Sequence, residues 1–143
     1  MARLMALDVG EKTIGVAFSD ESGTLATPGN TLFRREGFRR DMAALRDLAS
    51  EREVARIIVG MPLMPDGTPG PQAVAVEEFI ARLRGYVRIP IERCDEAFTT
   101  AEAERILDEL GRPRREHKQT IDSIAACLIL QDYLARRARI ERG

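Results

Sequence analysis

Leu4-Met5-Ala6-Leu7-Asp8-Val9-Gly10-Glu11-Lys12-Thr13-Ile14-Gly15-Val16-Ala17-Phe18-Ser19 is the stretch on which the reading of this chain turns. Its first half is almost wholly apolar, the pattern of a strand covered on both faces. A single carboxylate, Asp8, ends that run. Gly10 supplies the backbone freedom a sharp turn needs, and Ile14, Val16 and Phe18 then alternate along a second strand. An acid at the tip of a buried strand is costly to desolvate unless something compensates it. A bound cation is one such compensation, so the rest of the chain is searched for groups that work with Asp8.

The chain has 143 residues, enough for one domain with its own core and too few for two large ones. A net charge of -1 excludes binding of nucleic acid through bulk positive charge. A polyanionic partner must be held by a local basic patch, a metal, or both. No apolar run approaches the length of a membrane span, which excludes a membrane role of that kind. The N-terminus, Met1-Ala2-Arg3-Leu4-Met5, lacks the layout of a signal peptide. Cys94 and Cys127 sit in apolar segments without metal-ligand spacing and read as buried, reduced thiols of a cytoplasmic protein.

Outward from the opening hairpin, Asp20-Glu21-Ser22-Gly23 is a turn. Thr24 to Phe33 reads as a third strand, interrupted by Pro28-Gly29 in the manner of an edge or a bulge. Gly37 to Arg52 is helical, with Phe38, Met42, Leu45 and Ala49 on one face. Arg56 to Gly60 is a short buried strand, and Met61 to Pro71 is a loop rich in Pro and Gly. Gln72 to Arg84 is a helix with Val76, Ile80 and Leu83 inward, closed by Gly85. Val87 to Cys94 is a further strand. Thr99 and Glu102 stand as a capping box, opening a helix that stops at Gly111. Arg112 to Lys118 is a basic connector, and Thr120 caps a last helix running to about Arg137. A hairpin followed by alternating strands and helices predicts a mixed α/β sheet, antiparallel at one side and parallel afterwards, with helices on its faces.

In such sheets, sites form at the carboxyl ends of the parallel strands. Asp8 closes the first strand, Asp95 and Glu96 follow the last, and Asp122 stands in the first turn of the final helix. Ala125 and Ala126 let that helix lie close to the sheet. Singly, Asp8 could bond its own turn, Asp122 could favour the helix dipole, and Asp95 and Glu96 could be a solvated approach to a cap. Jointly, on one sheet edge, they make a site for Mg²⁺ or Mn²⁺, which prefer oxygen ligands. Spacing does not decide which of Asp95 and Glu96 points inward. Arg114, Arg115 and Lys118, with Arg112, are placed to grip a phosphate backbone, or else form a solvated connector. Arg136, Arg137, Arg139 and Arg142 read as a frayed, soluble tail. The loop from Met61 lacks a Gly-Lys-Ser/Thr and is not a Walker phosphate loop.

Four blocks resemble the YqgF/RuvX family of bacterial proteins in the RNase H-like superfamily, described as pre-16S rRNA nucleases and as Holliday-junction-resolvase-like. They are Ala6 to Ala17; Val59 to Leu63 with Asp66-Gly67-Thr68 and Gly70-Pro71-Gln72; Asp95-Glu96 with Thr99 to Ala103; and Ile121 to Ala126 with Leu128 to Leu134. The resemblance implies an RNase H-like sheet of five strands, three antiparallel and then parallel, flanked by helices on both faces. It implies one domain over residues 1–137 with a basic tail at 138–143. It places the acidic site on Asp8, Glu96 and Asp122, with Asp95 as a further candidate ligand and Mg²⁺ or Mn²⁺ as cofactor. Lys12, Arg114, Arg115 and Lys118 become substrate-binding residues. The expected activity is metal-dependent phosphodiester hydrolysis at the 5′ end of pre-16S rRNA, with RNA and ribosome-assembly intermediates as partners and a homodimer as one assembly. One departure stands out: where the family reads Asp-Glu-Arg, this chain has Ala97, and Arg93 or Lys12 is the available substitute.

Three other readings carry their own discriminators. Resolution of branched DNA would show as cleavage of a four-way junction. A non-catalytic RNA- or ribosome-binding module would bind RNA without metal-dependent cleavage. The Asp-x-Gly turn also opens actin-like ATPases, but those need two such domains around a cleft, and ATP binding would reveal them.

Overall fold

A computed structural model describes residues 3–64, 66–68, 70–96 and 114–142, with side chains at 3–64, 66–68, 70–95 and 123–140. Six strands form one sheet: β1 (Arg3–Val9), β2 (Thr13–Ser19), β3 (Ala26–Pro28), β4 (Leu32–Phe33), β5 (Val54–Pro62) and β6 (Ile91–Glu96). Three helices accompany them among the described residues: α1 (Phe38–Glu51), α2 (Pro71–Leu83) and α3 (Arg114–Arg142). The strand order is β3-β2-β1-β5-β6, with β4 also on β2. β1 is antiparallel to β2 and parallel to β5, and β5 is parallel to β6. The predicted mixed sheet is therefore present, its antiparallel side and parallel side meeting at β1.

The stretch from Thr24 to Phe33 forms two short strands rather than one. Both lie antiparallel on β2, Pro28 opposite Ala17 and Leu32 opposite Ile14. Gly29 separates them because its backbone is drawn against β2. Its N–H donates to Val16 O at 2.6 Å, and a Cβ there would lie 2.9 Å from the Phe18 ring. Only glycine lets the chain come that close.

The two faces of the sheet are covered differently. Met5, Leu7, Ile14, Val16, Ile57 and Val59 pack under α1 and α2, against Met42 and Leu45 of one and Val76, Phe79 and Ile80 of the other. The opposite parity, Leu4, Ala6, Ala17, Ile58 and Cys94, packs under α3 against Ala126, Ile129 and Leu130. This alternation is the period-two geometry of strands acting on sequence that is apolar at both parities. α1 buries Met42, Leu45 and Ala49 as its spacing predicts. Phe38, the fourth residue of that stripe, is instead partly exposed at the first turn, where the Arg82 guanidinium lies 4.3 Å from its ring.

Boundaries differ from expectation in three places. β5 extends past the predicted Arg56–Gly60 at both ends because it is central, with partners on both sides. β6 begins at Ile91 rather than Val87, since a turn over Arg84–Tyr86 delays its entry into the ladder. The final helix begins at Arg114, not Thr120, so most of the basic connector is helical, and the helix runs on through Arg142. The predicted helix from Thr99 to Gly111 lies outside the described residues. No helix among the described residues is long and apolar enough to cross a membrane.

Candidate active site

Asp8 is the penultimate residue of β1, paired with Gly15 of β2. It shares the parity of Leu4 and Ala6, which places it on the α3 face. It is half-buried there. Around it that face is lined with minimal side chains: Gly15 opposite on β2, and Gly60 near the carboxyl end of β5. A Cβ at Gly60 would fall inside Ile129, 3.0 Å from its Cγ1 and nearer still to Cδ1. Ala125 and Ala126 are the matching small residues on the helix, both buried. The absence of side chains on the sheet draws α3 down onto the end of β1.

Asp122 belongs to α3, one residue before Ser123. Ser123 is 2 % exposed, and its Oγ lies 2.8 Å from Thr31 Oγ1. Thr31 immediately precedes the Leu32–Ile14 pair, at the level of Gly15, and Gly15 is the partner of Asp8. The backbone at 122 and 123 thus arrives at the sheet end where Asp8 stands. Position 122 also precedes Ala126 by four residues and Ile129 by seven, the spacing of the helix stripe that meets the sheet.

Asp95 and Glu96 end β6, opposite Met61 and Pro62 of β5. Parity separates them. Glu92 and Cys94 take the α3 face: Tyr133 Oη donates to Glu92 Oε2 at 2.8 Å, and Cys94 Sγ lies 3.9 Å from Asp132 Oδ2. Position 96 has the same parity, and Asp95 the other. The side chains of Glu96, Asp122, Arg114, Arg115 and Lys118 lie outside the described residues. Arg93, one substitute for the missing family arginine, is engaged elsewhere. Its Nη2 donates to Glu77 Oε2 of α2 at 2.6 Å. The paired charges hold the Glu77 carboxyl below its ordinary range and push the Arg93 guanidinium up. Lys12, the other substitute, is exposed on the β1–β2 turn.

That turn is anchored by residues whose role the spacing did not announce. The Arg34 backbone N–H donates to Lys12 O at 2.8 Å, and its Nη1 donates to Gly10 O at 2.7 Å. Its Nε donates to Asp41 Oδ2 of α1 at 3.0 Å, with Asp41 buried. Arg34 therefore ties the turn beside Asp8 to the helix layer through a charge-assisted bond. A signal did exist: Asp41 is three residues after Phe38 and four before Leu45, on the inner stripe of α1. Gly10 itself does not take a left-handed φ. It serves the turn by closeness: its N–H donates to Thr13 O at 2.9 Å, and a Cβ would lie 3.1 Å from that oxygen.

The Pro/Gly loop after β5 closes on itself. Met64 N–H donates to Thr68 O and Gly67 N–H to Met64 O, both at 2.8 Å, with Gly67 at φ 85°. Thr68 donates from both its hydroxyl and its backbone to Asp66, which holds that carboxyl below the ordinary range. Cys94 is buried and Cys127 half-buried, and burial pushes the Cys127 thiol up.

A mixed sheet with this order, helices on both faces and an acid at the end of its first strand is an RNase H-like domain. The fold matches RuvC of Thermus thermophilus with a TM-score of 0.56 over 95% of this chain and 96% of that one, at 13% identity. A family model described as "RuvX: Holliday junction resolvase" matches residues 2–136, and the chain belongs to this family. A Thermoanaerobacter pseudethanolicus protein is 47% identical over 92% of this chain and 95% of its own length. One from Moorella thermoacetica is 46% identical over 94% and 95%. Both carry the name "Putative pre-16S rRNA nuclease".

Proposed function

We propose that this chain is a metal-dependent nuclease that hydrolyses phosphodiester bonds at the 5′ end of pre-16S rRNA, with Asp8, Glu96 and Asp122 as its catalytic acids. The observation that carries this is the placement of three acid-bearing positions at one end of the sheet, on the face that α3 covers. The names of relatives at 46 and 47% identity support the substrate.

The proposed donor set is carboxylate oxygen throughout, which fits Mg²⁺ or Mn²⁺ and not a thiolate- or imidazole-seeking metal. Asp8, Glu96 and Asp122 would hold the cation; parity makes Asp95 the weaker candidate. When bound, such a cation supplies Lewis acidity, neutralising charge on the phosphodiester and making water a better nucleophile. Arg34 fixes the turn beside the half-buried Asp8 through the Gly10 and Lys12 carbonyls. Lys12 stands on that turn, where it would meet a non-bridging phosphate oxygen, and Arg114, Arg115 and Lys118 would hold the backbone of the substrate further along α3. Attack on phosphorus breaks the bond to the 3′ oxygen, leaving a 3′-hydroxyl and a 5′-phosphate.

Cleavage of a pre-16S leader RNA and of a four-way DNA junction, each with Mg²⁺, Mn²⁺ or EDTA, tests this. The wild type is expected to cut the RNA only with metal. Asp8→Asn keeps the shape and removes the charge. It is expected to lose more than the roughly 10–100-fold that loss of an outer partner of a metal ligand costs. Full activity in Asp8→Asn would falsify the site. Cleavage of the junction alone would shift the substrate to branched DNA, and RNA binding without cleavage would make the chain a binding module.

A further inference from the structure

Beside the proposed acids, along β6 and the last third of α3, runs a groove of 380 Å³. Arg56, Arg136 and Arg137 line it with their side chains, with Glu92 as its one carboxylate among the described residues; the Arg93 guanidinium is held by Glu77 on the other face. On α3 the lining residues are Tyr133, Arg136, Arg137 and Ile140, the i, i+3, i+4, i+7 stripe of a single helix face. The arginines are braced rather than loose. Arg56 is ion-paired to Glu92, Tyr133 donates to the same carboxylate at 2.8 Å, and Arg136 pairs with Asp132 at 2.7 Å. Arg136 Nη2 also donates to Asp95 O at 3.3 Å. That carbonyl is one residue from Glu96, so the Arg136 wall of the groove reaches toward the proposed catalytic end of the sheet.

We infer that this groove is a second phosphate-binding track, holding the sugar–phosphate backbone of a single-stranded flank of the nucleic-acid substrate as it leaves the acidic site. The inference rests on the nuclease reading for the nature of the ligand. Its physical basis is separate. A molecule of net charge -1 has no general attraction for a polyanion, so retention of a long substrate needs cations gathered in one place. Guanidinium groups oriented by carboxylates present their remaining N–H donors outward, in the planar geometry that suits phosphate oxygens. The plainer account of these residues is that arginines near the end of α3 complement the helix dipole. That account requires no groove, no contribution from Arg56 on β5, and no dependence on substrate length.

The test is anisotropy titration of labelled single-stranded RNA of about 6 and about 24 nucleotides, one near the lower end of the range of single-strand site sizes and one beyond its upper end. EDTA is present so that binding is read without cleavage. The double variant Arg136→Glu/Arg137→Glu is compared with Arg39→Glu/Arg40→Glu on α1, an equal charge change on the opposite layer. The groove variant is expected to weaken the longer RNA by about tenfold or more and the shorter by less than about twofold. It should reduce the slope of log K against log salt by about 1.4, two contacts of a single strand. Arg137→Gln, a mild change at one position, should give about half that slope change. Binding by the groove variant equal to wild type, a loss equal at both lengths, or a loss matched by the α1 variant would each overturn the proposal, as would failure of the wild type to bind either RNA. Length-dependent loss in a protein that cleaves nothing would leave the groove standing and remove the nuclease reading.

Discussion

Gly60 shows how much one missing side chain settles. It stands near the carboxyl end of β5 with Ile129 of α3 pressed against its backbone. Gly60→Ala must displace Ile129 or lift the helix, and over-packing of this kind costs about 1–3 kcal/mol. Ile129→Val removes the nearest atom, Cδ1, and alone costs about 0.5–1.5 kcal/mol. The double variant is expected to be more stable than the sum of the two changes, with a coupling of at least about 0.5 kcal/mol in a urea-denaturation cycle. Additive effects would mean that the helix does not rest on this glycine. At the same scale Arg34 is the opposite case, a large side chain that spends its donors on the Gly10 carbonyl and the Asp41 carboxylate. The charge of Arg34 serves the turn beside Asp8, whereas most arginines among the described residues are exposed.

Among the elements, the β2–β3 connection is held by a titrating group. Asp20 accepts from Ser22 Oγ at 2.7 Å, Thr24 N–H at 2.8 Å and Leu25 N–H at 3.1 Å. These bonds favour the ionised form and hold its carboxyl well below the ordinary carboxylate range. A carboxyl lowered in the folded state contributes stability that is present above its unfolded value of 3.8 and is lost as pH falls below it. Asp20→Ala is therefore expected to melt at a lower temperature than wild type at pH 7, and the gap should close as pH is taken below about 4. A gap independent of pH would mean that the turn is held by its backbone bonds alone. The element scale is also where sequence reading was most and least successful. α1, α2 and β2 follow from period alone, because each carries a stripe or an alternation, and β1 follows from its continuous apolar run. The start of α3 did not, because Arg112 to Lys118 has no apolar period and its charges suit a helix surface as well as a loop.

Over the whole molecule, the proposed site would be assembled from segments distant in sequence, so a ligand that joins them should stabilise the fold. A cation held by Asp8, Glu96 and Asp122 would bind the native state only. At a hundredfold excess over its dissociation constant it adds about 2.7 kcal/mol, a rise in melting temperature on the order of 8 °C for a chain of this size. Wild type is expected to show that rise with Mn²⁺ or Mg²⁺ and Asp8→Asn to lose most of it, measured by calorimetry. An equal rise in both would place the cation elsewhere.

The apolar run ending at Asp8, the alternation of Ile14, Val16 and Phe18, and the helix stripes are local periodicities. They determined the element types, the mixed sheet and the end of it where the proposed acids stand. Which parity of β1 meets which helix layer was decided by tertiary packing, and with it the face Asp8 takes and the preference for position 96 over Asp95. The split of β3 from β4 at Gly29, the Arg34–Asp41 anchor and the arginine groove were decided there too. The reason is common to all of them. A period records how one element is divided between core and water, but not which other element arrives to cover it, and the contacts in question join residues that meet only after the layers have packed.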